Sequence, residues 1–137
     1  MAWCPFVVGV TYTRENVTAL LGVPDTATSR WYSAYHRRGR DFYVFANVGA
    51  AAATARDRPS HWEGDRLRWF GKPGSRLSQR ILRMLVNPWY RVHLFCRQRP
   101  RAPFVYHGVA AAIEVKDTVP VEVLWQSPPP APESRLR

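Results

Sequence analysis

Arg91-Val92-His93-Leu94-Phe95-Cys96-Arg97 alternates without a break. Val92, Leu94 and Cys96 face one way and Arg91, His93, Phe95 and Arg97 the other, which is the period of a β-strand. Upstream, Phe42-Tyr43-Val44-Phe45-Ala46 is apolar at every position, and that predicts a central strand covered on both faces. Working outward, shorter runs predict strands at residues 6–10, 31–35, 67–70, 104–112 and 119–125. Two helices interrupt them. Thr13 is placed to cap the first, with Glu15 in its first turn, Val17, Leu20 and Leu21 on its apolar face, and Gly22 and Pro24 to end it. Ser75 is placed to cap the second, with Leu77, Ile81, Leu82 and Leu85 inward, Arg76, Arg80 and Arg83 outward, and Asn87-Pro88 at its end. Residues 48–64, which hold an alanine run at 50–53, read as an extended loop. About six or seven short strands with two helices predict an α+β domain built on a small curved β-sheet or β-barrel. The domain takes residues 1–127; residues 128–137, rich in proline, read as a flexible tail.

A chain of 137 residues suits one domain that folds without staples. No apolar run approaches the ~18 residues that a membrane span needs. Met1-Ala2-Trp3-Cys4-Pro5 lacks the basic and apolar regions of a signal peptide, so the expected location is the cytoplasm. Cys4 and Cys96 make no metal spacing and read as two reduced thiols. The net charge is +10, and its placement is more telling than its size. Between Asp65 and Glu114 lie Arg66, Arg68, Lys72, Arg76, Arg80, Arg83, Arg91, Arg97, Arg99 and Arg101, and not one acid. That stretch carries the whole excess, and the remainder of the chain is neutral. Such asymmetry is the footprint of a polyanion partner, with DNA the leading expectation.

Enzyme chemistry finds little support. Glu114-Val115-Lys116 matches the acid-x-Lys half of a restriction-type nuclease site. Holding Mg²⁺ there needs a further carboxylate, and the usual upstream window for it falls in the acid-free stretch. His36, His61, His93 and His107 are scattered, with no zinc-deaminase spacing. Ser75 and Ser78 sit in no G-x-S-x-G elbow. Gly71-Lys72-Pro73-Gly74 is too short for a Walker loop, although its backbone N–H groups and Lys72 suit one phosphate. The expectation is a binding module that is not an enzyme, with no metal and no cofactor. A nuclease built on Glu114 and Lys116 is one alternative, a general single-stranded DNA or RNA binder another, and a protein-interaction module a third.

The basic residues expected to hold phosphates are Arg66, Arg68, Lys72, Arg76, Arg80, Arg97 and Arg99, joined by Ser75 and by Arg37 and Arg38 in an earlier basic turn. Arg97 is expected to make either a phosphate contact or a buried pairing. Aromatic residues interleave with the charges. Trp31, Tyr32 and Tyr35 on one predicted strand, with Tyr43, Phe45 and Asn47 on the next, are expected to wall a pocket with Trp69 and Lys72 near its rim. Such a cage would stack a flipped base while the amide of Asn47 read its edge. An ordinary strand-end bond is the plainer role for Asn47.

The motifs resemble a known domain when taken in order. Tyr12-Thr13-Arg14-Glu15-Asn16-Val17 is similar to the "Y-[ST]-R-x-x-[IV]" opening of an uncharacterised domain. That domain is found at the C-terminus of bacterial restriction-type superfamily-II helicases and beside HNH-type nucleases. Phe42 to Val48 resembles its apolar strand ending "F-x-N", and Leu67-Arg68-Trp69-Phe70-Gly71-Lys72 through Ser75 its "F-x-W-x-S-Q…S". Val92-His93-Leu94-Phe95-Cys96-Arg97 followed by Phe104-Val105-Tyr106-His107-Gly108 resembles "[IV]-x-LF-[VC]-R…F-x-Y-x-G". Gly71-Lys72 departs from the usual Ser-Gln. The likeness covers roughly residues 6–128 and implies a role in restriction of foreign or modified DNA, with a nuclease or helicase as partner. By analogy the strand pattern is PUA/SRA-like, which implies a reader of modified bases.

Overall fold

The computed structural model describes residues 4–49 and 59–130. The alanine run at 50–53, the first three residues and the part of the proline-rich segment beyond 130 lie outside the described residues. Among the described residues eight strands form one mixed sheet, with two α-helices and a 3-10 helix. They are β1 (Thr11–Tyr12), α1 (Arg14–Leu20), the 3-10 helix (Asp25–Trp31), β2 (Tyr35–Arg38), β3 (Asp41–Asn47), β4 (His61–Glu63), β5 (Arg66–Phe70), α2 (Arg80–Leu85), β6 (Arg91–Arg97), β7 (Phe104–Lys116) and β8 (Glu122–Gln126). The α+β class and the curved sheet are as the sequence predicts.

The strand order is β2-β3-β6-β7-β8-β5-β4, with β1 pairing β7 off that path. All pairings between these strands are antiparallel except β3 with β6, which run parallel with Phe42 beside Val92 and Phe45 beside Phe95. A parallel pair needs a long crossover, and here β4, β5 and α2 are strung along it. The thirteen-residue β7 pairs β6 with its first half and β8 with its second. The register with β6 slips beside Gly108, which sits at φ +95. An irregularity of that kind turns a strand and curls the sheet. The curl brings the sheet's ends together: Val48, just past β3, bridges Ser60, just before β4.

Two hydrophobic cores follow, one on each side of β3 and β6. Phe42, Val44 and Ala46 join Val92, Leu94 and Cys96 inside the curl, with Leu67, Trp69, Val123 and Trp125 opposite and Leu82 and Leu85 of α2 closing it. Tyr43, Phe45, Phe95, Phe104 and Tyr106 form the second, covered by Phe6, Tyr12, Val17 and Trp31. Burial on both faces is why residues 42–46 carry no polar side chain.

Several local expectations are corrected. Residues 6–10 do not form a strand: they hold a turn, with Gly9 at φ +88 and Val7 and Val8 exposed. Residues 31–34 precede the strand; Trp31 ends the 3-10 helix and β2 starts at Tyr35. The stretch read as loop contains β4. Thr13 does cap α1, in a reciprocal box with Asn16. Ser75 does not cap α2, which begins after Gln79; its hydroxyl instead accepts the Val121 N–H at 3.2 Å. Cys4 and Cys96 are both free. No helix among the described residues is long and apolar enough to cross a membrane.

Candidate nucleic-acid interface

β2 is an edge strand. Between it and the loop at residues 71–75 lies a cleft of about 680 Å³. Tyr35, His36 and Arg37 line one side, and Lys72, Ser75 and Gln79 are among those lining the other. The Lys72 ammonium stands 4.6 Å above the Tyr35 ring. Tyr35 rests in turn against Trp69, with ring centroids 5.7 Å apart. The loop keeps its shape through Gly71, where an added Cβ would meet the Ser75 Oγ at 2.5 Å. It also uses Gly74 at φ +80, a conformation that glycine adopts without penalty. Burial, with the charges of Arg30, Arg37 and Arg38, lowers the pKa of His36. Its imidazole, 4.4 Å from the Trp31 ring, is therefore held neutral at the cleft wall.

The single aromatic cage expected from the sequence is not what the fold builds. β2 pairs β3 with Tyr35 beside Val44 and His36 beside Tyr43, so alternation sends the aromatic residues to opposite faces. Tyr35 and Trp69 belong to the inner core. Trp31, Tyr43 and Phe45 belong to the outer one, Tyr43 stacked on His93 at 4.9 Å and Phe45 on Phe95 at 5.2 Å. Tyr32 is 60% exposed and hydrogen-bonded through its hydroxyl to Glu15. Among the described residues Asn47 makes a side-chain pairing and not the strand-end backbone bond. Its Oδ1 accepts from the Arg97 Nε at 2.7 Å.

The basic residues divide in the same way. Arg37 and Lys72 line the cleft, and Arg76 and Arg80 are exposed beside it in sequence. Arg97 and Arg99 line a second cleft of about 470 Å³ with Trp62 and His107. Arg38 and Arg66 are exposed on β2 and β5. Arg68 is engaged elsewhere: its guanidinium bonds Glu63 at 2.6 Å, Glu122 at 2.8 Å and Glu114 at 3.3 Å. Lys116 joins this network through Glu122 at 3.2 Å and Glu114 at 3.6 Å. The Arg68 bond holds the Glu63 carboxyl down at about 2. Glu114 does therefore have carboxylate neighbours, supplied by β4 and β8, but all three carboxylates are bonded to the one Arg68 guanidinium. Among the described residues no group of three or more His, Cys, Asp or Glu side chains is arranged to hold a metal ion.

Sequence reasoning missed Arg14. Its guanidinium lies 4.9 Å from the Phe45 ring and 5.1 Å from the Phe104 ring, and Arg97 lies 4.4 Å from Phe104. A signal for it existed, since Arg14 opens α1, where the positive end of the helix disfavours a cation. A second omission was the chain Arg91–Asp41–His93–Tyr106. Asp41 accepts from Arg91 at 2.8 and 3.0 Å and contacts the His93 Nε2 at 2.9 Å, and the His93 Nδ1 meets the Tyr106 hydroxyl at 2.9 Å.

No family model matches the chain, and no curated protein does. Among solved structures the fold is similar to that of the modification-dependent TagI restriction endonuclease, at a TM-score of 0.52 and 12% identity. The likeness covers 88% of this chain and 48% of that one, so the chain spans about half the length of the protein it resembles.

Proposed function

We propose that this chain is a DNA-binding domain of a restriction system that recognises modified DNA and has no hydrolytic activity of its own. The observation that carries the reading is the cleft at the edge of the curled sheet. Its volume falls in the range of small-ligand pockets, roughly 300–1,000 Å³, and at about 680 Å³ it has room for an extruded base. It combines the Tyr35 ring, the Lys72 charge and the backbone of a tight loop, which suit a base and the phosphate beside it. The likeness to the TagI enzyme, a modification-dependent restriction endonuclease, supports the same setting. Its chain extends well beyond the part matched here, and a nuclease or helicase partner would supply the cleavage or translocation that this domain lacks. The proposed compartment is the cytoplasm, where restriction meets incoming DNA. The wall residues of this reading are Tyr35, His36 and Lys72, with Arg37, Arg76 and Arg80 on phosphates.

The test is binding of matched duplexes that differ only in one mark, across a methylated base, a bulkier base adduct and a backbone sulfur. One mark is expected to bind at least tenfold tighter than the plain duplex. Lys72→Ala is expected to weaken that complex severalfold and to lower the salt slope by about 0.9, the value for one lost phosphate contact. Equal affinity for every duplex in the panel would overturn the modified-DNA reading.

A further inference from the structure

We propose that Arg14 and Arg97 together form an anion site for a phosphodiester of the DNA backbone, on the outer face of the sheet and separate from the Tyr35–Lys72 cleft. Two guanidiniums stack on the outer aromatic cluster and share the Phe104 ring. Neither forms an ion pair among the described residues. The nearby carboxylate of Glu15 is taken by the Tyr32 hydroxyl. The Arg14 Nε is buried and has no hydrogen-bond partner among the described residues. One terminal nitrogen of Arg14 reaches the Ser33 carbonyl at 3.4 Å, the long end of the range. Arg97 is better held, by Asn47 at 2.7 Å and by the Ala102 carbonyl at 3.3 Å.

Two like charges brought together and partly stripped of water are costly unless something negative joins them. The cost is visible in both side chains: burial and then the charge of Arg97 lower the Arg14 pKa, and burial lowers that of Arg97. Stacking on Tyr32, Phe45 and Phe104 holds the Arg14 guanidinium, but no carboxylate among the described residues offsets a cation set there against the dipole of its own helix. A phosphodiester does offset it, because two planar forks can share its two charged oxygens. Asn47 then acts as a positioning residue, fixing the Arg97 fork. The inference rests on the DNA-binding reading only for the carrier of the phosphate.

The experiment measures melting of the full chain in inorganic phosphate against chloride at matched ionic strength, then DNA affinity as a function of salt. Phosphate is expected to raise the wild-type melting temperature. In Arg14→Gln and in Arg97→Gln the half-saturating phosphate should rise about tenfold, whereas Arg83→Gln, an equal charge change elsewhere, should respond as wild type. Arg14→Lys keeps the charge without the fork and should fall in between. On DNA, Arg14→Gln should reduce the salt slope by about one. No phosphate effect on the wild type, or an equal effect on all variants, overturns the site. Loss of the phosphate response with an unchanged DNA slope overturns its assignment to the DNA backbone. Failure of the modified-DNA reading would leave the phosphate results untouched.

Discussion

At residue scale, Gly71 shows how one missing side chain shapes the cleft. Its Cα faces the Ser75 side chain so closely that a Cβ would sit 2.5 Å from Oγ and 3.3 Å from Cβ. Ser75 is 3% exposed and its hydroxyl receives the Val121 N–H, so it has nowhere to turn. Gly71→Ala should therefore cost about 1–3 kcal/mol, the usual range for overpacking, and should also loosen the loop that carries Lys72. Chemical denaturation checks the first expectation and DNA titration the second; an unchanged midpoint would show that the loop yields freely. Nothing in the sequence announced this. Gly71-Lys72-Pro73-Gly74 reads as a turn, but the need for glycine at its first position comes from Ser75 folding back beneath it. Ser75 itself was legible as a polar residue with a local job, and the job turned out to be a bond to a strand far along the chain.

At the scale of elements, the parallel pairing of β3 with β6 sets Asp41 beside Arg91 and Tyr43 beside His93. Burial opposes the charge on Asp41, but its bonds to Arg91 and His93 prevail and leave its pKa lowered. Burial lowers the pKa of His93 more than Asp41 raises it. Both shifts act in the same direction with pH. An unfolded histidine takes a proton near pH 6.5 while folded His93 resists, so stability falls as the pH drops below that value. Asp41 adds a further loss at lower pH, once its folded carboxyl protonates. His36 and His107, also lowered by burial, share the sign of His93. Melting temperature should therefore decline on acidification from pH 7 to 5, and His93→Gln should flatten that decline while lowering the plateau. A variant whose pH profile keeps the wild-type slope would exclude His93 as the group responsible. The alternation along Arg91–Arg97 and the apolar run of β3 were plain in the sequence because both depend only on local period. Parallel pairing was not, since it is decided by a crossover through β4, β5 and α2.

At the scale of the whole molecule, the proposed function and the charge excess together predict salt-sensitive DNA binding, with affinity falling by about 0.9 log units per contact for each tenfold rise in salt. The fold sorts the basic residues into those free to act and those already employed. Arg68 and Arg91 lie in the basic segment but are bound to carboxylates. Arg68→Ala should thus lower thermal stability, by leaving Glu114 and Glu122 to Lys116 alone and Glu63 to His61, and should barely change the salt slope. A slope reduced by about one would place Arg68 on the DNA instead. Purified protein with Mg²⁺ or Mn²⁺ is expected not to cut marked or plain DNA; metal-dependent cleavage lost in Glu114→Ala would revive the nuclease alternative.

Composition, charge placement and periodicity are properties of neighbouring residues, so the chain by itself determined the α+β class, the two central strands, the Thr13 cap and the concentration of positive charge between Asp65 and Glu114. The sites were decided only by tertiary structure. Alternation across the β2–β3 hairpin parted Tyr35 from Tyr43, because adjacent strand positions face opposite sides. The curl of the sheet placed Lys72 over Tyr35, gathered Glu63, Glu114 and Glu122 around Arg68, and carried Arg14 to the same aromatic ring as Arg97. Apart from the Glu63–Arg68 pair, made within one hairpin, each of these meetings joins residues far apart in the chain, and no local pattern encodes such a distance.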